Sequence, residues 1–387
     1  MNIAMLVLND MTSDARVDRE ATALAESGHL VTVLALRRAG LSDAEDRPSY
    51  RVLRVANPTT APWRQPFAKL AQSRARSAAL AAAAIGEGPD IIHAHDSDTL
   101  EAAFAAAGKL GVGVVYDAHE LYPDMLSEFG AGGSWPVQRY WRRIERTYVP
   151  QALAAITVSD GLAREIERRY GISPAVVRNV PALEPLQTTG RLRSELGLVG
   201  DSRMLLLYQG VLIGGRGLKH LLDAVNSVPD VVLAVQGFGP LEAELREHAV
   251  TLGAGDRVRF MGRIDQADLH EFACGADAGV VIYEHTTLNN YLAAPNKLYA
   301  YLMAGLPVLV SDFPGLAEIV IGNKVGATFD PGDVSSVAEA IVTLAGQASE
   351  RAGMSVAART LAESSLNWNR EQQKLLHLYE TLEPSAS

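Results

Sequence analysis

The chain has 387 residues, of which 48% are hydrophobic and 21% charged, and its formal net charge is −10. This length predicts two domains of about 150–200 residues each, and the acidic balance argues against nucleic acid as the main partner. The single cysteine, Cys274, excludes an intramolecular disulfide and a cysteine-based metal site.

The N-terminus begins with an apolar run that we interpret as a first β-strand, residues 3–8. No basic leader precedes this run, and it meets a polar loop within about eight residues, unlike a signal peptide. No uninterrupted apolar segment approaches the roughly 18 residues that a membrane span needs. We therefore expect a cytoplasmic protein, with peripheral attachment to the inner face of the membrane left open.

Apolar runs of strand length alternate with segments of helical period along the first half, which is typical of βα units in a parallel sheet. Helices are predicted over residues 14–27 and 67–85. Strands are predicted over residues 3–8, 31–36, 91–94, 112–116 and 155–158. We interpret residues 1–185 as one doubly wound, Rossmann-like domain.

Two strand ends in this half carry histidines. His93, His95 and Asp96 in "HAHDSD" could be metal ligands, although a helix cap at Asp96 or Ser97 is the simpler interpretation. His119 in "VVYDAHE" is either hydrogen-bonded to neighbouring main chain or functional.

A predicted helix over residues 135–149 has two unlike sides. Val137, Trp141, Ile144 and Tyr148 fall on one side at helical spacing, and Arg139, Arg142, Arg143 and Arg146 fall on the other. The simple interpretation is a helix packed on its sheet with a solvated basic face. The alternative is contact with anionic lipid headgroups or a lipid-linked acceptor.

A proline-rich and polar segment, residues 179–198, then interrupts the alternation. A second series of strands follows over residues 204–208, 231–236, 258–261, 278–282, 307–310 and 326–329. We interpret residues 186–362 as a second Rossmann-like domain. Two such domains facing one another would hold a ligand in a central cleft, because open parallel sheets bind ligands outside the carboxyl ends of their strands.

The first turn of the second domain is rich in glycine and contains a cation. Gly214, Gly215 and Gly217 allow close approach of the backbone to a ligand, and Arg216 lies at the start of the next helix. The helix dipole and the guanidinium would both favour a diphosphate. A glycine-rich turn with a solvated arginine is the alternative.

Three further segments reach the same edge of the predicted sheet. Two are turns without a complete G-x-G-x-x-G, one with Gly237 and Gly239 and one with Gly262, Arg263 and Ile264. In the third, Asn289 and Asn290 offer donors and acceptors suited to sugar hydroxyls, and Lys297 adds a second cation.

These residues together resemble the retaining, nucleotide-sugar-dependent glycosyltransferases of the GT-B fold, the group that includes sucrose synthase and many bacterial cell-surface enzymes. The resemblance extends from the first strand to about residue 345. It is carried by "DARVDREATALAESGHLVTVLA", "VVYDAHELYPD", "YQGVLIGGRGLKHLL" and "APNKLYAYLMAGLPVLVSDFPG".

The resemblance implies an α/β fold of the GT-B type and a role for each matching position. Arg216 would grip the donor diphosphate, and Asn296 with Lys297 would open the donor helix. Gly262, Arg263 and Ile264 would meet the nucleobase, and Asn289 and Asn290 would lie near the transferred sugar. His119 would reach that sugar from the first domain, and Asp14, Arg16 and His95 would lie on the acceptor side. A local ion pair and helix cap is the alternative for Asp14 and Arg16. A C-terminal segment, residues 363–387 with a helix over about 363–381, would return to the first domain.

Two positions depart from the family pattern. Val211 stands where a basic residue is common, and Ala300 stands where the family has a glutamate that binds the ribose hydroxyls. A deoxyribose donor, substitution by Glu318, or reduced activity would each account for Ala300.

We therefore expect a retaining, metal-independent glycosyltransferase with a nucleotide-sugar donor and no cofactor. Arg216, Lys297 and a helix N-terminus would stabilise the leaving diphosphate, and no Asp-x-Asp follows a strand edge near the site. The acceptor would be sugar-containing, lipid-linked or a small molecule, in cell-surface polysaccharide, glycolipid or natural-product synthesis. A nucleotide-sugar epimerase of the same fold and a catalytically weak partner subunit remain alternatives.

Overall fold

A computed structural model describes residues 1–58, 66–126 and 135–382. The chain forms two compact units, Met1–Arg178 with Gln372–Ser387, and Asn179–Glu371. None of the helices in the described ranges combines the length and apolar character that a bilayer span requires.

The first unit is built on an eight-stranded sheet in the order β3-β4-β2-β1-β5-β6-β7-β8. All neighbours pair in parallel except β3 and β4, which are antiparallel. The strands are β1 (Asn2–Leu6), β2 (Leu30–Leu36), β3 (Ala44–Asp46), β4 (Arg51–Val55), β5 (Ile91–His95), β6 (Gly113–Ala118), β7 (Ala154–Thr157) and β8 (Ala175–Val176).

Helices connect these strands. The Asp14 carboxylate accepts a hydrogen bond from Val17 N at 3.1 Å and so caps the first helix. The helices are α1 (Ala15–Glu26), α2 (Pro66–Glu87), α3 (Leu100–Leu110), α4 (Tyr122–Met125), α5 (Trp135–Tyr148) and α6 (Asp160–Tyr170).

The second unit is built on a six-stranded parallel sheet in the order β11-β10-β9-β12-β13-β14. Its central strand is buried on both faces, since Leu206 and Tyr208 join one apolar cluster while Leu205 and Leu207 join the other. The strands are β9 (Met204–Gln209), β10 (Val231–Gln236), β11 (Val258–Gly262), β12 (Ala278–Val281), β13 (Val308–Ser311) and β14 (Gly326–Phe329).

Helices connect the strands of this unit. They are α7 (Arg191–Glu195), α8 (Leu218–Asn226), α9 (Glu242–Thr251), α10 (Leu269–Cys274), α11 (Leu288–Tyr291), α12 (Asn296–Met303), α13 (Pro314–Gly322), α14 (Val334–Gly346) and α15 (Ala348–Ser364). Helix α7 precedes β9, both α11 and α12 lie between β12 and β13, and both α14 and α15 follow β14.

The predicted C-terminal helix over residues 363–381 is wrong at its beginning. α15 ends where Ser365 N and Leu366 N both donate to Leu361 O, and α16 (Trp368–Leu382) starts after Asn367. The Asn367 side chain accepts from Arg370 N at 3.3 Å, which favours a new helix over continuation of the old one. From Gln372 onward α16 belongs to the first unit, where Tyr379 is fully buried.

Candidate functional site

Asn290 forms hydrogen bonds that hold the glycine-rich loop after β9. Its side-chain amide donates to Gly215 O at 3.3 Å and to Thr286 Oγ1 at 3.1 Å. A Cβ on Gly215, which has φ +73°, would lie 2.8 Å from that amide nitrogen. The loop therefore requires glycine here for its backbone conformation and for this close contact.

Asn290 also holds Arg216, the cation that is predicted to bind the donor diphosphate. Its Oδ1 accepts from Arg216 Nη1 at 2.7 Å, and the residue is only 1% exposed. The polar atoms of Asn290 are thus occupied within the unit, so the structure gives it a supporting contact with the loop and Arg216. Asn289, its neighbour in α11, is also buried.

The two predicted cations lie against tyrosine rings at the carboxyl ends of β9 and β12. The Arg216 guanidinium carbon is 4.1 Å from the centre of the Tyr283 ring. Lys297 Nζ is 4.0 Å from the centre of the Tyr208 ring and 5.7 Å from that of Tyr283. The Tyr283 ring therefore contacts both Arg216 and Lys297, and cation–π attraction stabilises each of these contacts.

The proximity of two cations has an electrostatic consequence. Burial, and secondarily the charge of Arg216, lower the pKa of Lys297 to about 7. Across residues 1–58, 66–126 and 135–382, no carboxylate forms an ion pair with the Lys297 ammonium. An anion bound beside both cations would relieve their repulsion.

The backbone around this pair is tightly packed. A Cβ on Gly237 would lie 1.9 Å from Gly210 O, and one on Gly239 would lie 2.4 Å from Leu212 O. A Cβ on Gly210 would in turn lie 2.7 Å from Lys297 Nζ. These glycines allow the loops after β9 and β10 to contact each other beside the ammonium group.

The other residues that are predicted to bind the nucleotide-sugar donor lie in different environments. Gly262 has φ +73°, Arg263 lies 5.0 Å above the exposed Phe238 ring, and Ile264 packs against an apolar core cluster. Other positions show a range of environments: Gly214, Asn296 and Glu318 are exposed, Gly217 is buried, and Ala300 is half-buried in α12.

A buried ionic network occupies the carboxyl ends of β5 and β6 in the first unit. Arg16 donates to both Asp117 oxygens, at 2.9 and 2.8 Å, and its Nη2 lies 2.9 Å from Glu20 Oε1. Burial raises the pKa of Glu20 to about 6, whereas Arg16 and the histidines hold the pKa of Asp117 well below its usual range against the opposing effect of burial. Arg16 thus pairs with Asp117 and Glu20 and not with Asp14.

His119 lies between two carboxylates at the edge of this network. Its Nε2 is 2.9 Å from Asp117 Oδ2, and its Nδ1 is 3.2 Å from Asp96 Oδ2. Burial alone would lower its pKa, but the charges and hydrogen bonds of Asp96 and Asp117 raise the pKa of His119 well above its usual value. The ring is therefore an imidazolium near neutral pH, a hydrogen-bond donor and not a general base.

The predicted helix cap by Asp96 or Ser97 is wrong, since the Ser97 hydroxyl donates to a carboxylate of α5 at 2.6 Å. The Asp96 side chain makes no capping hydrogen bond, and its Oδ1 instead accepts from His119 N at 3.1 Å. His95, predicted on the acceptor side, is 3% exposed, with Nδ1 at 3.2 Å from Asp117 Oδ2.

Sequence reasoning missed the carboxylates around His119 and the tyrosine rings that contact the two cations. Tyr208 and Tyr283 read as apolar residues at strand ends, and Asp117 reads as an interruption of a buried strand. A polar residue inside a strand that is otherwise fully buried was the available signal for Asp117.

Two stretches of the chain match known protein families. Residues 15–182 match the family described as Glycosyltransferase Family 4, and residues 203–347 match Glycosyl transferases group 1. The chain is 27% identical over 293 residues to glycogen synthase of Mycobacterium tuberculosis, covering 72% of this chain and 66% of that protein. It is 29% identical over 195 residues to GDP-mannose-dependent alpha-(1-6)-phosphatidylinositol monomannoside mannosyltransferase of Mycolicibacterium smegmatis, covering 49% and 50%. The aligned part thus spans less than two thirds of the length of these curated relatives.

Solved structures match over nearly the full chain. Sucrose-phosphate synthase from Thermosynechococcus elongatus has a TM-score of 0.81 at 20% identity and covers 99% of both chains. Anabaena HepE, solved in complex with UDP and glucose, has a TM-score of 0.74 at 19% identity and covers 98% of this chain and 100% of its own. These likenesses confirm the predicted fold of two Rossmann-like α/β domains.

Proposed function

The chain belongs to the GT-B glycosyltransferases, with a Glycosyltransferase Family 4 domain followed by a group 1 domain, and on this premise we propose that it transfers a sugar from a nucleotide-sugar donor to an acceptor. The donor would bind the second unit and the product would retain the configuration of the transferred sugar. Polysaccharide or glycolipid synthesis is the favoured setting, since the similar proteins include a glycogen synthase and a phosphatidylinositol mannoside transferase.

The observation that carries this proposal is the pair of cations around Tyr283. Arg216 and Lys297 face one aromatic ring at 4.1 and 5.7 Å, beside a glycine loop and the N-terminus of α12. A diphosphate would neutralise both charges and accept hydrogen bonds from free backbone amides. Solved complexes of a protein with this fold contain UDP and UDP-glucose.

The same groups supply the chemistry of the proposed transfer. As the bond from sugar to diphosphate breaks, negative charge grows on the leaving phosphate, and Arg216 and Lys297 would stabilise that charge without a metal ion or a cofactor. His119 would place the positive charge of its imidazolium, which Asp96 and Asp117 hold through both ring nitrogens, beside the donor sugar and so position it. Retention of configuration is proposed from the family resemblance, with the leaving phosphate taking the acceptor proton.

Two measurements test this function. Thermal unfolding with UDP, GDP, dTDP and their sugar conjugates identifies the donor, because a ligand that binds only the native state raises its melting temperature. NMR of the product from that donor and candidate glycan or glycolipid acceptors then reports the anomeric configuration. Conversion of the donor without an acceptor would indicate an epimerase, and nucleotide binding without turnover would indicate a partner subunit.

We further propose that α5 attaches the protein to the inner face of the membrane, where a lipid-linked acceptor is available, with the rest of the chain in the cytoplasm. The exposed side of α5 carries Arg139, Arg142, Arg143 and Arg146 around a depression of about 400 Å³, which also includes Trp135 and Thr147. Trp135 is 70% exposed, with the Arg139 guanidinium 5.5 Å from its ring. An exposed tryptophan among arginines fits the interfacial region of an anionic bilayer.

A further inference from the structure

Two histidines of β5 and a glutamate of α1 form a buried group of potential ligands in the first unit. His93 and His95 point to the same side of the strand, and their rings stack with centres 4.3 Å apart. Donor atoms of these two residues, Glu20 and Asp117 all lie within 4.8 Å of one another. All four residues are at most 3% exposed.

Each histidine is held through its Nδ1 atom. His93 Nδ1 lies 2.8 Å from the Tyr379 hydroxyl, and His95 Nδ1 lies 3.2 Å from Asp117 Oδ2. With the proton on Nδ1, each ring would donate to its oxygen partner and leave an unprotonated Nε2. Histidines that bind metals are oriented in this way by a second hydrogen bond from the other ring nitrogen.

The atoms opposite these contacts lack hydrogen-bond partners. In the described part of the chain, His93 Nε2, His95 Nε2 and Glu20 Oε2 are buried and accept no hydrogen bond. His93 Nε2 and Glu20 Oε2 are 3.9 Å apart. Buried polar atoms without partners are costly, so their convergence from two elements indicates a site that can bind a ligand.

We propose that Glu20, His93 and His95 form a binding site for one divalent transition metal ion, with zinc as the best match. Two imidazoles and one carboxylate are a common zinc donor set, and water can take a fourth position. Bonds of about 2.0–2.1 Å in a tetrahedral ion place ligand atoms about 3.3 Å apart. Binding would therefore contract the group and rotate the two imidazoles out of their stacked arrangement until both Nε2 atoms face the ion.

Neighbouring charges are compatible with an added cation. Arg16 lies 2.9 Å from Glu20 Oε1 and leaves Oε2 to face the histidine. Asp117 already accepts from Arg16 and lies beside His95 and His119, so it acts as an outer support and not as a ligand. Asp96, Asp117 and Glu20 supply three negative charges against the two positive charges of Arg16 and His119.

The metal would connect three parts of the first unit. Glu20 comes from α1, the histidines come from β5, and Tyr379 reaches His93 from α16. The ion would therefore stabilise the packing of the C-terminal helix against the sheet, independently of the donor site in the second unit.

The test measures metal directly in the full-length, tag-free chain. Wild type and His93→Gln are produced in zinc-supplemented medium, and metal content is determined by mass spectrometry. We expect about one equivalent of zinc in the wild type and less than about a tenth of that in His93→Gln. His377→Gln, which changes a histidine that is 77% exposed on α16, is the matched control and should retain the metal.

Cobalt substitution and crystallography make the test decisive. The Co²⁺ form of the wild type should show the intense visible bands of a tetrahedral ion, and anomalous scattering should locate the zinc between Glu20 and His93. Glutamine preserves the size of the histidine, and circular dichroism checks that the variant is folded. A wild type without stoichiometric metal, a His93→Gln variant that retains it, or a crystal with only water at this position would each overturn the proposal.

Discussion

The side chain of Lys297 has a charge that changes near neutral pH. Its pKa is lowered to about 7 by burial and by Arg216, so the ammonium of the empty site loses its proton above that pH. A bound diphosphate favours the charged form and raises this pKa again. Binding should therefore take up a proton above pH 7, and affinity should fall by up to about tenfold per pH unit.

Calorimetry of the identified nucleotide sugar in buffers of different ionisation enthalpy measures this proton uptake. The phosphates of a nucleotide sugar do not themselves titrate between about pH 7 and pH 9. Lys297→Arg retains its charge throughout this range and should bind without proton uptake. A wild-type affinity that is constant over the same range would contradict the pKa shift.

His119 should affect transfer more than donor affinity. Its imidazolium is held by Asp96 and Asp117 and is 20% exposed, so one face can reach a ligand. His119→Ala should lower kcat by about 10²–10³-fold, as loss of a fixed charge that stabilises the transition state does, and change nucleotide affinity by less than about twofold. Equal losses in kcat and in nucleotide affinity would remove the positioning role.

Ala300 tests the assignment of α12 as the donor helix. A glutamate at this half-buried position would restore the carboxylate that the family places beside the ribose. Ala300→Glu should tighten the ribonucleotide by about 1.5–3 kcal/mol, and should leave the matching 2′-deoxynucleotide less improved. Ala300→Gln is the isosteric control without charge. If Ala300→Glu binds no ribonucleotide more tightly than the wild type, the alignment of α12 with the donor helix of the family is wrong.

The sequence allowed part of this chemistry to be predicted at single positions. Arg216 and Lys297 were recognisable because cations beside a glycine turn and a helix start fit an anion. The structure brings them to one ring, Tyr283, and this contact joins residues far apart in sequence. The burial of Asn290 could not be predicted either. From the sequence alone, its polar side chain is a plausible ligand-binding group, and only the structure shows that it bonds to the loop and to Arg216.

At the scale of single elements, the proposal that the arginine side of α5 binds anionic membranes can be tested. Replacing Arg139, Arg142 and Arg143 with Gln should reduce sedimentation with anionic vesicles at least tenfold, since each basic residue near such a surface contributes about 1 kcal/mol. The buried side, with Trp141 and Ile144, is unchanged, so the fold should persist.

The matched control makes the same change of charge at exposed arginines elsewhere. Arg51, Arg164 and Arg246 serve this purpose, and their replacement with Gln should leave vesicle binding nearly unchanged. Binding of the wild type that does not depend on the anionic lipid fraction, or equal losses in both triple variants, would contradict the assignment of α5.

Prediction of the elements succeeded where burial was continuous. All predicted strands are present, because long apolar runs in a parallel sheet are buried on both faces. The ends of β10 and β14 are as predicted, and the other predicted strands are shifted at one or both ends. The strands that were missed, β3, β4 and β8, lie at or near the sheet edges and are short or only partly buried. Edge strands need fewer apolar residues, so their sequence signal is weak.

At the scale of the whole chain, the C-terminal helix completes the first unit from the far end of the sequence. Leu375 and Tyr379 are fully buried, and the Tyr379 hydroxyl meets His93 at 2.8 Å. The spacing of apolar residues predicted a C-terminal helix. Only the family resemblance predicted that this helix packs on the first unit. The stability of the first unit should therefore depend on a residue that follows the entire second unit.

Tyr379→Ala should destabilise the first unit by about 3–5 kcal/mol, because it removes a buried aromatic ring and leaves a cavity. Tyr379→Phe retains the ring and should cost only about 0.5–1.5 kcal/mol for the lost hydrogen bond. Chemical unfolding, followed in parallel with nucleotide binding, separates the two units, since the donor residues all lie in Asn179–Glu371. Nucleotide affinity should remain within about twofold in both variants, because the second unit has its own sheet and core. Unfolding of both units together, or an alanine variant no less stable than the phenylalanine one, would show that α16 does not hold the first unit in this way.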